Sequence, residues 1–179
     1  MVQIRERDLA ARDLYYLAKA VTERLRGSGT LVLVNDRADL AASTGAGVHL
    51  TTRSLTPEVV RAAFGPDVLI GVSTHNQQEA EAAQRGGADF IVFGPVFETQ
   101  SKAEYGEPVG TAALHRVAGS SSIPVIALGG INPTNCQETL DAGAAGVAGI
   151  SMFTKSFTQT VQSQGLNELV SNIRNMKLR

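Results

Sequence analysis

Residues 125–151, VIALGGINPTNCQETLDAGAAGVAGIS, decide the fold of this chain because they hold two apolar runs that each end in glycine. The first run, VIAL, has no polar face, which is typical of a strand buried on both sides, and Gly129-Gly130 ends it. A helix capped by Asn132 is predicted over residues 134–142, and a second strand over residues 146–151. Glycine after a strand lets bare amides approach an anion, and the dipole of the next helix adds positive charge. The two turns therefore predict a phosphate site, although tight turns alone would also use glycine.

The same alternation of strands and helices continues along the chain. Seven strand-like runs alternate with helices, which predicts one domain over residues 1–179 with a parallel sheet and right-handed crossovers. Polar residues follow the strands, and in a parallel barrel those strand ends share one face. A doubly wound sheet is less favoured because no G-x-G-x-x-G follows the first strand. The predicted strands are residues 2–7, 30–34, 48–50, 68–73, 90–93, 125–128 and 146–151, and the predicted helices are 8–27 (with Asp8 as cap), 38–43, 57–64, 77–85, 111–117, 134–142 and 157–176.

Composition limits the classes of partner. The chain has 179 residues and a net charge of −1, so neither nucleic acid nor an anionic membrane is expected as a general partner. A small anionic ligand must be held by local charges. The single cysteine, Cys136, excludes an internal disulfide and fits a reducing compartment. No apolar run approaches membrane-spanning length and no signal peptide is visible, which predicts a soluble, cytoplasmic protein.

Charged residues at the first two strands suggest where an anion would bind. Gln3, Arg5 and Arg7 lie at period two, so on one strand they would point to the same side, where two guanidinium groups need an anion. Surface arginines on an edge strand are the alternative. Asp36 follows a buried strand, and a carboxylate there could ligate Mg²⁺. Taken alone, the stretch containing Asp36 fits a helix cap better.

One long loop and three histidines complete the polar inventory. Residues 99–102 place two hydroxyls and an ammonium in a loop after a strand, as in a functional lid or an ordinary solvated loop. His49, His75 and His115 do not have the spacing of metal ligands, so zinc chemistry is not expected.

Taken together, seven ordered motifs resemble those of the thiamine phosphate synthase and TenI family, over nearly the whole chain. The resemblance implies an α/β fold, a (β/α)8 TIM barrel in which this chain lacks the first βα unit. A gap in the barrel would expose strand edges, and we expect the terminal helix or another copy of the chain to cover it, so a homo-oligomer is one alternative. The motifs are VQIRERD (2–8), VNDR (34–37), GVHL (47–50), GVSTH (71–75), FGPVFETQSK (93–102), ALGGI (127–131) and GIS (149–151).

The resemblance also implies a reaction and its residues. The reaction joins hydroxymethylpyrimidine diphosphate to thiazole phosphate and releases pyrophosphate, which leaves first to give a pyrimidine carbocation. Charge stabilisation and orientation suffice for such a step, without a covalent nucleophile. The residues implied for the pyrimidine diphosphate are Gln3, Arg5, Arg7, Asn35, Ser73 and Lys102, with Asp36 on Mg²⁺; those for the thiazole phosphate are Thr99, Ser101, Gly130, Ile150 and Ser151, beside Gly129 of the predicted phosphate turn.

The chain departs from the family pattern in a few places. Ser54 stands where the synthases carry a second metal-binding Asp, which should weaken Mg²⁺ affinity, and Arg53 beside it could neutralise diphosphate charge directly. Arg7 replaces a usual Lys and keeps the charge. The sister activity, thiazole tautomerase, uses a histidine base where this chain has Pro95. Synthase is therefore favoured over tautomerase, and a phosphate-binding barrel without turnover is a third alternative.

Overall fold

The computed structural model describes residues 1–99 and 107–150. Strands and helices alternate through this part of the chain, as the sequence pattern predicts. The predicted helix over residues 157–176 lies outside the described residues. The strands are β1 Val2–Ile4, β2 Val32–Asn35, β3 Gly47–Leu50, β4 Ile70–Thr74, β5 Phe90–Phe93, β6 Val125–Leu128 and β7 Gly146–Ala148; the helices are α1 Ala11–Leu25, α2 Ala38–Thr44, α3 Pro57–Phe64, α4 Gln77–Arg85, α5 Gly110–Ser120 and α6 Cys136–Asp141.

The strands form one parallel sheet in consecutive order, β1 to β7. A doubly wound sheet would reverse its order part of the way along, so this order confirms the barrel-like alternative. Within the described residues β1 and β7 each pair with one neighbour, so the eight-unit closure of a (β/α)8 barrel is not shown. What the structure establishes is a seven-stranded, TIM-like half-barrel.

The sheet has two different faces because alternate residues of each strand point to opposite sides. One face packs against the helices, through residues such as Val34, Val48 and Ile91. The other, which we call the inner face, carries a smaller apolar cluster of Leu33, Phe90 and Val92. Since Leu33 lies on β2 and the other two on β5, the sheet is curled.

The start of α1 differs from the sequence prediction, whereas the start of α4 agrees with it. Asp8 does not cap α1, which begins at Ala11 after Ala10 and has no side-chain cap. The packing of Leu14 and Leu17 onto the sheet sets this start, rather than the local capping preference of Asp8. In α4, by contrast, the Asn76 side chain accepts from the Glu79 amide at 2.9 Å and the Glu79 carboxylate accepts from the His75 amide at 2.7 Å.

Arg61 ties together the turns at the amino ends of β4 and β5. Its guanidinium donates to the carbonyl oxygens of Pro66 and Val68, both at 2.7 Å, and to that of Gly87 at 2.8 Å. It also donates to the Asp89 carboxylate at 2.9 Å, and that carboxylate accepts from the Ile70 amide at 2.6 Å. This network belongs to the end of the sheet opposite the polar strand ends and is structural.

No helix among the described residues is both long and apolar enough to cross a membrane.

Candidate active site

The carboxyl ends of β1 and β2 are joined by their side chains. Gln3 Nε2 donates to Asn35 Oδ1 at 3.0 Å across the pair β1·β2. Strand β1 ends at Ile4, so the prediction that Arg5 and Arg7 continue the strand at period two was wrong. β1 pairs with β2 only as far as Val34, and the chain then turns toward α1. Arg5 and Arg7 are exposed residues of that turn, directly beyond the strand end.

Asp36, the predicted metal ligand, follows β2 in a left-handed backbone conformation with φ 62°. Among the described non-glycine residues no other has a positive φ. Its amide donates to the carbonyl oxygen of His49 at 2.9 Å, which ties the turn after β2 to β3. A non-glycine residue in this region is strained, and such strain commonly accompanies a functional role. The exposed Asp36 carboxylate is therefore held at a strand end by backbone geometry.

Arg37, the next residue, is engaged by a neighbouring carboxylate. Its guanidinium binds the Asp39 carboxylate in a bidentate contact, with distances of 2.8 Å and 2.6 Å. The hydrogen bond from Arg37 holds the pKa of Asp39 below its usual value. The same hydrogen bond raises the pKa of Arg37. Arg37 thus serves the start of α2, and the cations left for a diphosphate are on other elements.

Ser73 and His49 meet on the inner face at the carboxyl ends of β3 and β4. The Ser73 hydroxyl lies 3.0 Å from His49 Nε2. His49 is buried and stands opposite Asn35 in the pairing of β2 with β3. Gln3, Asn35, His49 and Ser73 therefore form a polar row across four consecutive strands. Ser73 was predicted from its motif as a substrate-binding residue, whereas His49 was not. Alternation along GVHL puts His49 on the inner face, but the strand register was needed to bring it to Ser73.

The glycine turn after β6 packs directly on the segment after β5. Val96 donates its amide to Leu128 and Phe97 donates to Gly129, at 2.9 Å and 3.0 Å, so this pairing continues beyond both strands. A Cβ on Gly130 would lie 2.4 Å from the carbonyl oxygen of Glu98, and Gly130 has φ 65°. Close backbone approach and a left-handed conformation both require glycine here.

This turn presents backbone donors. Within residues 1–99 and 107–150 the amides of Gly130 and Ile131 have no hydrogen-bond acceptor. The next helix starts later than predicted, because α6 begins at Cys136 rather than at Thr134. Asn132 closes a separate turn in between, where its Oδ1 accepts from the Thr134 amide at 2.8 Å. The amides of Gly130 and Ile131 thus belong to the turn and not to the first turn of α6.

The remaining predicted residues are placed as follows. Thr99 is half-buried and follows the segment after β5, and Ile150 is exposed just beyond β7. Both lie at the carboxyl ends of their strands, as do Gly129 and Gly130. Ser101, Lys102 and Ser151 lie outside the described residues.

The described residues suit Mg²⁺ only as a metal shared with a substrate. They contain no group of three or more His, Cys, Asp or Glu side chains able to hold a metal ion. Mg²⁺ is commonly bound through one or two carboxylates, with water and phosphate oxygens completing its shell. Asp36 fits that pattern as a single exposed carboxylate directly after β2.

The turn after β3 offers hydroxyls in place of a second carboxylate. Ser54 Oγ accepts from the Thr51 amide at 2.8 Å and lies 3.0 Å from Thr51 Oγ1. Thr51 Oγ1 in turn accepts from the Arg53 amide at 3.3 Å. The Ser54 side chain is thus used to close the turn, and Arg53 is exposed on it.

Comparison with known proteins agrees with this geometry. The family described as "Thiamine monophosphate synthase" matches residues 1–153. Thiamine-phosphate synthase of Moorella thermoacetica is 36% identical over 97% of this chain and 83% of its own length. That of Chlorobium luteolum is 39% identical over 97% of this chain and 82% of its own length. The solved structure of thiamine phosphate pyrophosphorylase from Pyrococcus furiosus matches with a TM-score of 0.78 and 31% identity, over 96% of this chain and 82% of that one. This chain therefore belongs to the thiamine monophosphate synthase family.

Proposed function

We propose that this chain joins hydroxymethylpyrimidine diphosphate to thiazole phosphate, giving thiamine phosphate and pyrophosphate. The single observation that carries the proposal is that one edge of the sheet holds both a polar row and a glycine turn. The row runs from Gln3 to Ser73 across β1 to β4, and the turn at Gly130 follows β6. Because the sheet is parallel, both lie at carboxyl ends of strands.

The polar row suits the pyrimidine diphosphate. Gln3 and Asn35 would hold amide donors and acceptors toward the pyrimidine ring, and Ser73 would donate its hydroxyl to the ligand. Arg5 and Arg7 would supply positive charge to the diphosphate from the turn after β1, together with Lys102. When bound at Asp36, Mg²⁺ would neutralise charge on the leaving diphosphate. Arg53 would add a cation from the neighbouring turn, beside a serine that offers no second carboxylate.

The glycine turn suits the acceptor substrate. The amides of Gly130 and Ile131 would bind the phosphate of the thiazole, assisted by Gly129, Thr99, Ser101, Ile150 and Ser151. Fixing the thiazole by its phosphate would orient its ring nitrogen toward the pyrimidine carbon as the diphosphate departs. The protein's contribution would be orientation and charge stabilisation, with no covalent bond to the enzyme.

The alternative of a thiazole tautomerase is disfavoured by the segment after β5. Pro95 there has no ionisable side chain, and it packs against Gly129. Its position is therefore unable to supply a proton-transferring base. We also propose a cytoplasmic location and small phosphorylated substrates as the partners, in keeping with the net charge of −1.

Three measurements separate the alternatives. Purified chain with pyrimidine diphosphate, thiazole phosphate and Mg²⁺ should produce thiamine phosphate and pyrophosphate in equal amounts. Isomerisation of thiazole carboxylate phosphate in the absence of any pyrimidine would instead identify a tautomerase. Thermal stabilisation by thiazole phosphate without turnover of either kind would identify a binding protein, because a ligand that binds the folded state raises its melting temperature.

A further inference from the structure

His49 is fixed in the middle of the polar row. It is buried, with 6% of its surface exposed, and its Nε2 lies 3.0 Å from the Ser73 hydroxyl. Its carbonyl oxygen accepts from the amide of Asp36 at 2.9 Å. One residue thus contacts a predicted substrate-binding hydroxyl through its side chain and the predicted metal ligand through its backbone.

His49 is buried between two strand neighbours on the inner face. In the register of β3 with β4 its neighbour is Gly71, which has no side chain. The Phe90 ring takes the space above that glycine, where a Cβ would lie 2.2 Å from the ring. Beside it in β2 stands Asn35, whose Oδ1 is engaged by Gln3. The strand neighbours of His49 on both sides are therefore themselves held, by the Phe90 ring at Gly71 and by Gln3 at Asn35.

We propose that His49 is a positioning residue that turns the Ser73 hydroxyl toward the pyrimidine substrate by donating Nε2–H to it. This inference rests on the proposed function, because it concerns how Ser73 meets that substrate. A serine hydroxyl has one hydrogen and can also accept. Diphosphate oxygens and pyrimidine ring nitrogens are acceptors, so Ser73 has to give its hydrogen to the ligand to bind either of them.

The direction of the His49 to Ser73 hydrogen bond follows from that requirement. If Nε2 were an acceptor, Ser73 would donate its only hydrogen to it. The Ser73 oxygen would then present only lone pairs to an anionic ligand. If Nε2 carries the hydrogen, it donates to Ser73 Oγ, and the serine hydrogen points to the ligand. A chain of donors from His49 through Ser73 to the substrate results, and each bond in such a chain strengthens the next.

The test is a double-mutant cycle of His49 and Ser73, read on both substrates. His49→Leu should raise the KM for pyrimidine diphosphate about tenfold, equivalent to one neutral hydrogen bond, and leave the KM for thiazole phosphate unchanged. In a Ser73→Ala background the same substitution should change neither KM further. His49→Gln, whose side-chain amide can place a donor near Nε2, should restore most of the loss. His115→Ala, on the exposed face of α5, is the matched control and should have no effect.

A spectroscopic measurement separates failure of this inference from failure of the proposed function. Nitrogen NMR of the ligand-free protein should show the hydrogen of His49 on Nε2. An Nε2 without hydrogen, or a His49→Leu effect equally large with and without the Ser73 hydroxyl, would overturn the positioning role. If the wild-type chain forms no thiamine phosphate, the proposed function fails. The double-mutant cycle would then be measured on the binding of pyrimidine diphosphate, and that cycle and the NMR result would still decide the inference.

Discussion

The amide of Asp36 donates to the carbonyl oxygen of His49 at 2.9 Å, although Asp36 has a left-handed backbone with φ 62°. This bond anchors the turn after β2 to β3, and the Asp36 side chain on that turn is exposed. A left-handed backbone and a predicted metal ligand thus coincide at one residue. The two can be separated by substitution.

Asp36→Asn and Asp36→Ala should differ in stability but not in activity. Asn tolerates the left-handed region, so its free energy of unfolding should match wild type, while Ala should lose about 1 kcal/mol. Both lack the carboxylate, so both should lose most Mg²⁺-dependent turnover. Urea unfolding and an assay at several Mg²⁺ concentrations measure the two effects. Full activity of Asp36→Asn would remove Asp36 from the metal role.

Gly130→Ala should be far more harmful than Gly45→Ala. Both glycines have left-handed conformations, with φ 65° and 70°, but a Cβ on Gly45 meets nothing within 4 Å. A Cβ on Gly130 would lie 2.4 Å from a backbone oxygen. We expect Gly45→Ala to lower the free energy of unfolding by about 1 kcal/mol and to leave the activity unchanged. Gly130→Ala should also raise the KM for thiazole phosphate at least about tenfold, because a hydrogen bond from a turn amide to the phosphate would be lost. Unchanged KM in a folded Gly130→Ala variant would contradict phosphate binding at this turn.

Arg61→Met should destabilise the protein without impairing its chemistry. Arg61 makes charge-assisted hydrogen bonds to four carbonyl groups and Asp89 at the amino ends of the strands. Their loss should lower the free energy of unfolding by about 3 kcal/mol. Arg85→Met is the control, because the Arg85 to Glu81 pair is 3.8 Å long and exposed, and should change stability little. Equal effects of the two substitutions would show that the Arg61 network is not stabilising.

The Arg37 to Asp39 contact should contribute stability only above acid pH. Arg37 lowers the folded-state pKa of Asp39 from its ordinary 3.8, so the ionised pair stabilises the fold above that pH. Its contribution is lost as pH falls through the lower folded value. The difference in unfolding free energy between wild type and Asp39→Asn should therefore be present at pH 7 and disappear in strong acid. Both side chains are partly exposed, at 38% and 55%, so the difference should stay below about 1 kcal/mol. A difference that grew toward low pH would contradict this sign.

The sequence predicted elements well where apolar pattern and packing agree. β5, β6 and α4 have the predicted bounds. An unbroken apolar run favours a buried strand, and an alanine-rich segment preceded by Asn76 favours a helix, so each pattern fits a single secondary structure. The prediction that Asp8 caps α1 was wrong because a capping preference is local, whereas the start of α1 depends on where Leu14 packs on the sheet. The prediction that Arg5 and Arg7 continue β1 was wrong because the apolar and polar alternation of the sequence extends beyond the last residue of β1 that pairs with β2.

The site was predictable by residue type but not by contact. Ser73, Asn35 and Gly130 were identified through motifs, and each lies at a strand end. The His49 to Ser73 contact depends on the register between two strands, and a single sequence does not contain that register. The same holds for the close approach of Glu98 to Gly130, which needs β5 and β6 to be neighbours.

The central claim is that both substrates bind at one edge of the sheet, the pyrimidine diphosphate on the polar row and the thiazole phosphate at the glycine turn. Amide chemical-shift mapping by NMR tests it most directly. Thiazole phosphate should shift the amides of Gly130 and Ile131, and pyrimidine diphosphate with Mg²⁺ those of Asn35, Asp36 and Ser73. Shifts confined to the opposite end of the sheet, around Gly87 and Asp89, would contradict the claim.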